Sequence, residues 1–121
     1  RAVLMLRSQA QLAEGLADQA LGRLQDWVSV RPHDAEAWHM LARVAQAAGQ
    51  PLRALRAEGE VQMARMDYAG AIDRWRAAQD LARRQPGGPA ELIEASIVDA
   101  RLREAQQARY QQEQDEKKRR R

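Results

Sequence analysis

Apolar positions along this chain recur at helical spacing and at almost no other. Tyr68, Ala71, Ile72, Trp75, Ala78 and Ala82 fall at i, i+3, i+4, i+7, i+10 and i+14, one stripe along a helix. No stretch alternates apolar and polar residues for long, and β-branched residues are few, so strands are not expected. Turn residues interrupt the helical pattern at Gly15, Pro32, Gly49, Pro51 and the run Pro86-Gly87-Gly88-Pro89. The spacing predicts six helices, over residues 2–14, 17–30, 35–48, 51–66, 68–84 and 89–115. Asp34 and Asp67 are placed to cap the third and fifth, because a short carboxylate side chain can accept from the free N–H groups of a first turn. Pro51 and Pro89 suit the first turns of the fourth and sixth, where a missing N–H is no loss.

The helices repeat. Residues 1–34 set above residues 35–68 bring Leu4 onto Trp38, Ala13 onto Ala47, Gly15 onto Gly49 and Ala20 onto Ala54. A half-step of 17 also maps Ala54 onto Ala71 and Leu55 onto Ile72. Gly49 is expected in the turn between the third and fourth helices with a positive φ. Trp75, with Ala71 and Ala78 beside it, sets one large ring between small neighbours, a pattern that lets helices approach closely. The sixth helix should pack on the fifth through Leu92, Ile93, Ile97, Val98 and Leu102, then project as a polar extension from about Gln106. The chain thus divides into a repeat domain, residues 1–105, and a polar, basic helical tail, residues 106–121.

Composition agrees with an all-α class. Of the 121 residues 45% are apolar, but alanine supplies much of that, Phe is absent and aromatics are 4%. Such a chain has little bulk for a thick core and suits alanine-lined helix contacts. Net charge is +3, and all of the excess lies in the tail, which ends Lys-Lys-Arg-Arg-Arg; the first 105 residues carry equal numbers of Arg and acidic residues. A neutral body with a basic end is a weak footprint for nucleic acid, and none is expected as a partner. No apolar run approaches the ~20 residues of a membrane span. Residue 1 is Arg, so the chain reads as a piece of a longer or processed protein. Its first helix is expected to expose Val3, Leu4 and Leu6 and to support self-association there.

The residues offer little to catalysis. There is no Cys, and Ser8, Ser29 and Ser96 have no base in a recognisable register. His33 and His39 lie six apart, which does not place both on one helical face as a zinc pair needs. Gly87-Gly88 has no Lys-Ser/Thr after it and reads as a turn, not a phosphate cradle. Glu91, Glu94, Asp99 and Arg103 interleave at helical spacing as a salt-bridged surface would. No catalytic residue, metal or cofactor is expected in this chain.

The 34-residue unit, with Leu4, Ser8, Gly15, Ala20, Leu24 and Pro32, then Trp38, Leu41, Ala42, Gly49 and Ala54, resembles the tetratricopeptide repeat. Arg7, Trp27 and Glu58 depart from its pattern. A further partial match begins inside the fourth helix with Gly59, Ala71, Trp75 and Ala78, so that helix carries two phases of the repeat. The run Trp38, Leu41-Ala42-Arg43, Gly49, Arg56-Ala57-Glu58, Asp67-Tyr68, Ala71-Ile72 and Asp99-Ala100-Arg101-Leu102 is similar to the C-terminal repeat region of bacterial periplasmic zinc metallopeptidases of the BepA type. The resemblance implies a solenoid of about three antiparallel helix pairs, a periplasmic location and a non-catalytic role in engaging substrate proteins or outer-membrane assembly partners. It also implies a concave, protein-binding face carrying Met5 and Gln9 from the first helix and Glu36, His39, Arg43 and Gln46 from the third. The metallopeptidase motif H-E-x-x-H has no counterpart here. A cytoplasmic repeat scaffold unrelated to proteolysis is the alternative expectation.

Overall fold

A computed structural model describes residues 1–120; Arg121, the last residue of the expected tail, lies outside the described residues. The described residues form six helices and no strand: α1 (Ala2–Ala13), α2 (Ala17–Val30), α3 (Ala35–Ala47), α4 (Pro51–Ala64), α5 (Tyr68–Arg84) and α6 (Pro89–Arg119). The all-α expectation holds, and each boundary lies close to its expected place; α6 runs further than the pattern indicates. Asp34 accepts from the Ala37 N–H at 3.2 Å, and Asp67 accepts from the Gly70 N–H at 3.0 Å. Both capping expectations hold. Pro51 and Pro89 open α4 and α6.

The turns fall into two kinds. After α1, α3 and α4 the chain closes with the same paired hydrogen bonds. Leu16 donates to Gln11 O at 2.7 Å, Gln50 to Ala45 O at 2.9 Å and Asp67 to Gln62 O at 2.9 Å. Each is accompanied by a loop-back bond from the residue before it to the carbonyl three residues back, the Schellman arrangement that satisfies the last carbonyls of a helix. This geometry requires a left-handed residue, supplied by Gly15 (φ +75°), Gly49 (φ +74°) and Met66 (φ +60°). The α2–α3 and α5–α6 connections are longer and use no positive φ.

The Met66 turn breaks the alternation of tight and long connections, and the packing changes with it. α1 rests on α2 and α3, whereas α4 rests on α3, α5 and α6; the backbones of α3 and α5 do not approach closely, nor do those of α2 and α4. So α4 closes one hairpin with α3 and opens another with α5. Ala54, Ala57 and Val61 join a first core with α2 and α3; Leu52, with Leu55 and Met63 beside it, joins a second with α5 and α6. A third face, Arg53, Arg56 and Glu60, turns to α6.

The second core closes around Trp75, which is fully buried and whose indole Nε1 donates to the Arg56 carbonyl at 3.1 Å. Gly59 on α4 makes this approach possible, since a Cβ there would fall within the indole. The first core is built likewise around Trp38, whose Nε1 donates to Pro32 O at 2.9 Å. Trp27 is half-buried, and its Nε1 reaches Asp34 at 2.9 Å.

Two packing expectations need correction. Leu92 and Ile93 remain 65% and 63% exposed. The buried stripe of α6 is Val98, Leu102 and Ala105, and at 100° per residue Leu92 and Ile93 point well away from it. Leu4, expected at the surface, packs against the first core. It lies with Ser8 and Leu12 on the inner face of α1, while Val3 and Leu6 face out.

Candidate interaction surfaces

The expected concave-face residues divide into two groups. His39, Arg43 and Gln46 stand along α3, with Leu12 of α1 and Glu58 of α4, around an open hollow of about 370 Å³. The other three lie outside it. Met5 is half-buried against the first core, Gln9 is exposed on α1, and Glu36 is tied to Arg1 at 2.9 Å. Arg1 also forks onto Asp34 at 2.8 and 2.9 Å. Together with the Trp27 and Ala37 N–H groups, this guanidinium holds the Asp34 carboxyl well below the ordinary range.

A larger groove, about 690 Å³, opens on another side, between the C-terminal turns of α2 and the middle of α6, with α4 as its floor. Its walls carry Val28, Met63, Tyr68 and Ile97, and His33 stands exposed at one rim. The floor is charged and closed on itself. Arg101 of α6 forks onto Glu60 of α4, both bonds at 2.8 Å, and continues to Glu104. Arg56 donates to Glu94 of α6, which Arg53 approaches at 3.4 Å. Two of these arginines lie over indoles: Arg56 over Trp38 at 5.6 Å and Arg101 over Trp75 at 5.5 Å. The hydrogen bonds to Glu60 raise the Arg101 guanidinium above its usual value.

The sequence shows these side chains with another meaning. Arg56 and Arg101 stand there as elements of a family-like pattern, and Glu94 as part of a salt-bridged surface. Instead, Arg56 and Glu60 are buried and pin α6 to α4. The signal that could have found them is Arg53, Arg56 and Glu60 at i, i+3 and i+7, a charged stripe running between the apolar stripe of Ala54, Ala57 and Val61 and that of Leu52 and Met63. Gln25 also lines the groove, and its side-chain carbonyl is buried without a hydrogen-bond donor.

What the arrangement offers chemically is recognition by shape, apolar contact and a few hydrogen bonds. Among the described residues no three His, Asp or Glu side chains are grouped as a metal site requires, and no helix is long and apolar enough to cross a membrane. No protein-family model, curated protein or solved structure matches this chain.

Proposed function

We propose that this chain is a non-catalytic protein-interaction module of tetratricopeptide-like helical hairpins, and that it binds an extended peptide segment of a partner protein in the groove between α2, α4 and α6. The observation that carries this reading is the groove itself. Its walls are apolar and partly methionine, a side chain that adapts to varied partners. Its floor charges are already paired, so a neutral peptide can enter without stranding them. The parent protein on this reading is a periplasmic zinc metallopeptidase, and the module holds substrate proteins or outer-membrane assembly partners for it. The pattern from Trp38 to Leu102 supports that assignment.

Selection of peptides from a random display library on the purified chain tests the binding. Met63→Glu and Ile97→Glu should each weaken a selected peptide by about tenfold or more, as burial of a charge in an apolar wall implies. Arg43→Glu, on the α3 hollow, should leave it unchanged. Loss through Arg43 alone would move the site to the α1–α3 face, and a library that yields no binder would end the proposal. The protease assignment is tested separately, by sequencing the gene upstream: H-E-x-x-H and an export signal support it, and an unrelated domain removes it.

A further inference from the structure

α1 is apolar on two opposite faces. Leu4, Ser8 and Leu12 face inward to the first core. Val3, Leu6, Ala10 and Ala13, at i, i+3, i+7 and i+10, form a second stripe on the far side, and all four are exposed, Val3 by 76% and Leu6 by 67%. Arg7, Gln9 and Gln11 separate the two stripes, so the outer one is a distinct exposed apolar surface and not part of the core face. The internal repeat points the same way. Of the residues 34 positions later on α3, Ala37, Met40 and Val44 are buried and Ala47 is exposed, with α1 and α2 packed against that helix. The opposite end of the molecule differs. Beyond Ile93 the outer face of α6 carries Ser96, Arg103, Gln107 and Gln111, a largely polar surface.

We infer that the outer stripe of α1 is a self-association surface, and that two copies of this chain pair there through antiparallel α1 helices about a two-fold axis. The sequence along the stripe selects this arrangement. Its large residues, Val3 and Leu6, occupy the N-terminal half, and its small ones, Ala10 and Ala13, the C-terminal half. With the axis at the level of Ser8, Val3 of one copy lies opposite Ala13 of the other, and Leu6 opposite Ala10. Large meets small along the whole contact, so the helices can approach closely. A parallel pairing would set large against large. Charge is divided: Glu14 falls beside the second copy's α1 N-terminus, whose free N–H groups favour a carboxylate, whereas Arg7 stands on the same flank as Arg7 of that copy and must splay away from it. At the α6 end only Leu92 and Ile93 are exposed at the start of the helix and the surface beyond them is largely polar, so head-to-tail growth has only a small second apolar patch to use. The contact is the same patch on both copies and closes at two. This inference is independent of the groove.

Sedimentation velocity and light scattering on the whole chain, over a wide concentration range, test it. A monomer–dimer equilibrium is expected. Leu6→Glu should raise the dissociation constant by about tenfold or more, with unchanged helicity by circular dichroism because Leu6 is outside the core. Ala10→Leu should weaken the dimer too, since the added side chain meets Leu6 of the second copy. Leu92→Glu, at the other end, should leave it unchanged. A chain that stays monomeric into the millimolar range overturns the proposal. So does Ala10→Leu strengthening association, open-ended growth, or loss of the dimer through Leu92→Glu.

Discussion

Gly59→Ala probes most directly how α4 and α5 meet. Within a solvent-facing helix this change stabilises by about 1 kcal/mol, because Ala loses less backbone entropy than Gly. Here the new Cβ would lie 2.5 Å from Cδ1 of Trp75 and nearer still to Nε1 and Cε2. Carbon atoms in contact sit about 3.5–4.0 Å apart, so the ring must retreat by roughly 1 Å or more. It has nowhere free to go: Trp75 is fully buried, its N–H is bonded to Arg56 O, and Arg101 lies over its face. Overpacking of this kind costs about 1–3 kcal/mol, and weakening the buried indole hydrogen bond adds about 1 kcal/mol. Offset against the helix-propensity gain, the net loss is about 2 kcal/mol, or roughly 8 °C in Tm for a chain of this size. Gly22→Ala is the matched control. Gly22 lies within α2, exposed, and a Cβ added there meets no atom within 4 Å. The same substitution at Gly22 should raise stability by about 0.5–1 kcal/mol. Thermal and urea unfolding followed by circular dichroism measure both. In a Trp75→Leu background the Gly59→Ala penalty should shrink. If Gly59→Ala stabilises the protein as Gly22→Ala does, Trp75 does not sit against α4 and the second core is built otherwise.

Other expectations follow from the turns and ion pairs. Met66 holds a left-handed conformation while 69% exposed, so Met66→Gly should stabilise by about 1 kcal/mol through relief of backbone strain, read from the urea midpoint. Gly49 has open space around it, so Gly49→Val should destabilise by about 1–3 kcal/mol through strain alone, and an unchanged Tm would place the turn elsewhere. Glu60→Gln leaves Arg101 without its forked partner and should cost about 2–3 kcal/mol, less than a fully buried pair because Arg101 keeps some solvent contact; replacing both residues by Met should recover much of that. The Asp34 carboxyl is depressed by Arg1, so its contribution is complete above the ordinary aspartate range near pH ~4 and is lost as pH falls toward its folded value. Asp34→Ala should therefore flatten the acid side of a stability–pH profile, and an identical acid limb would refute the latch.

Much of the architecture is legible in the sequence because the physics that sets it is local. Helix ends follow from Asp34, Asp67, Pro51 and Pro89, each of which acts within its own turn. Gly15 and Gly49 announce left-handed turns for the same reason. Met66 does not, since nothing in a methionine marks a position where glycine would be easier, and the shift in packing that follows shows only as conflicting repeat phases in α4. Periodicity locates the α5 stripe correctly but misjudges α6. An apolar run such as Leu92-Ile93 identifies a helix without saying which side meets a neighbour. The larger groove escapes a reading of the sequence because it is assembled from α2, α4 and α6, which are not adjacent along the chain. Its floor residues also look like surface charges until both partners are seen facing each other. The α3 hollow is partly legible: His39, Arg43 and Gln46 follow one another along a single helix, whereas the places of Met5, Gln9 and Glu36 depend on how α1 and α3 meet.

The double role of α4 bears on how the molecule comes apart. In a regular stack each unit touches only the next, and segments melt or can be removed one by one. Here a single 14-residue helix contributes a face to each core and a charged stripe to α6. Neither half retains its partner when α4 unravels, so the two halves are bound to one cooperative transition. Tryptophans on either side of it, Trp38 and Trp75, should report the same denaturation midpoint, and no cut at a repeat boundary should release a fragment that folds alone.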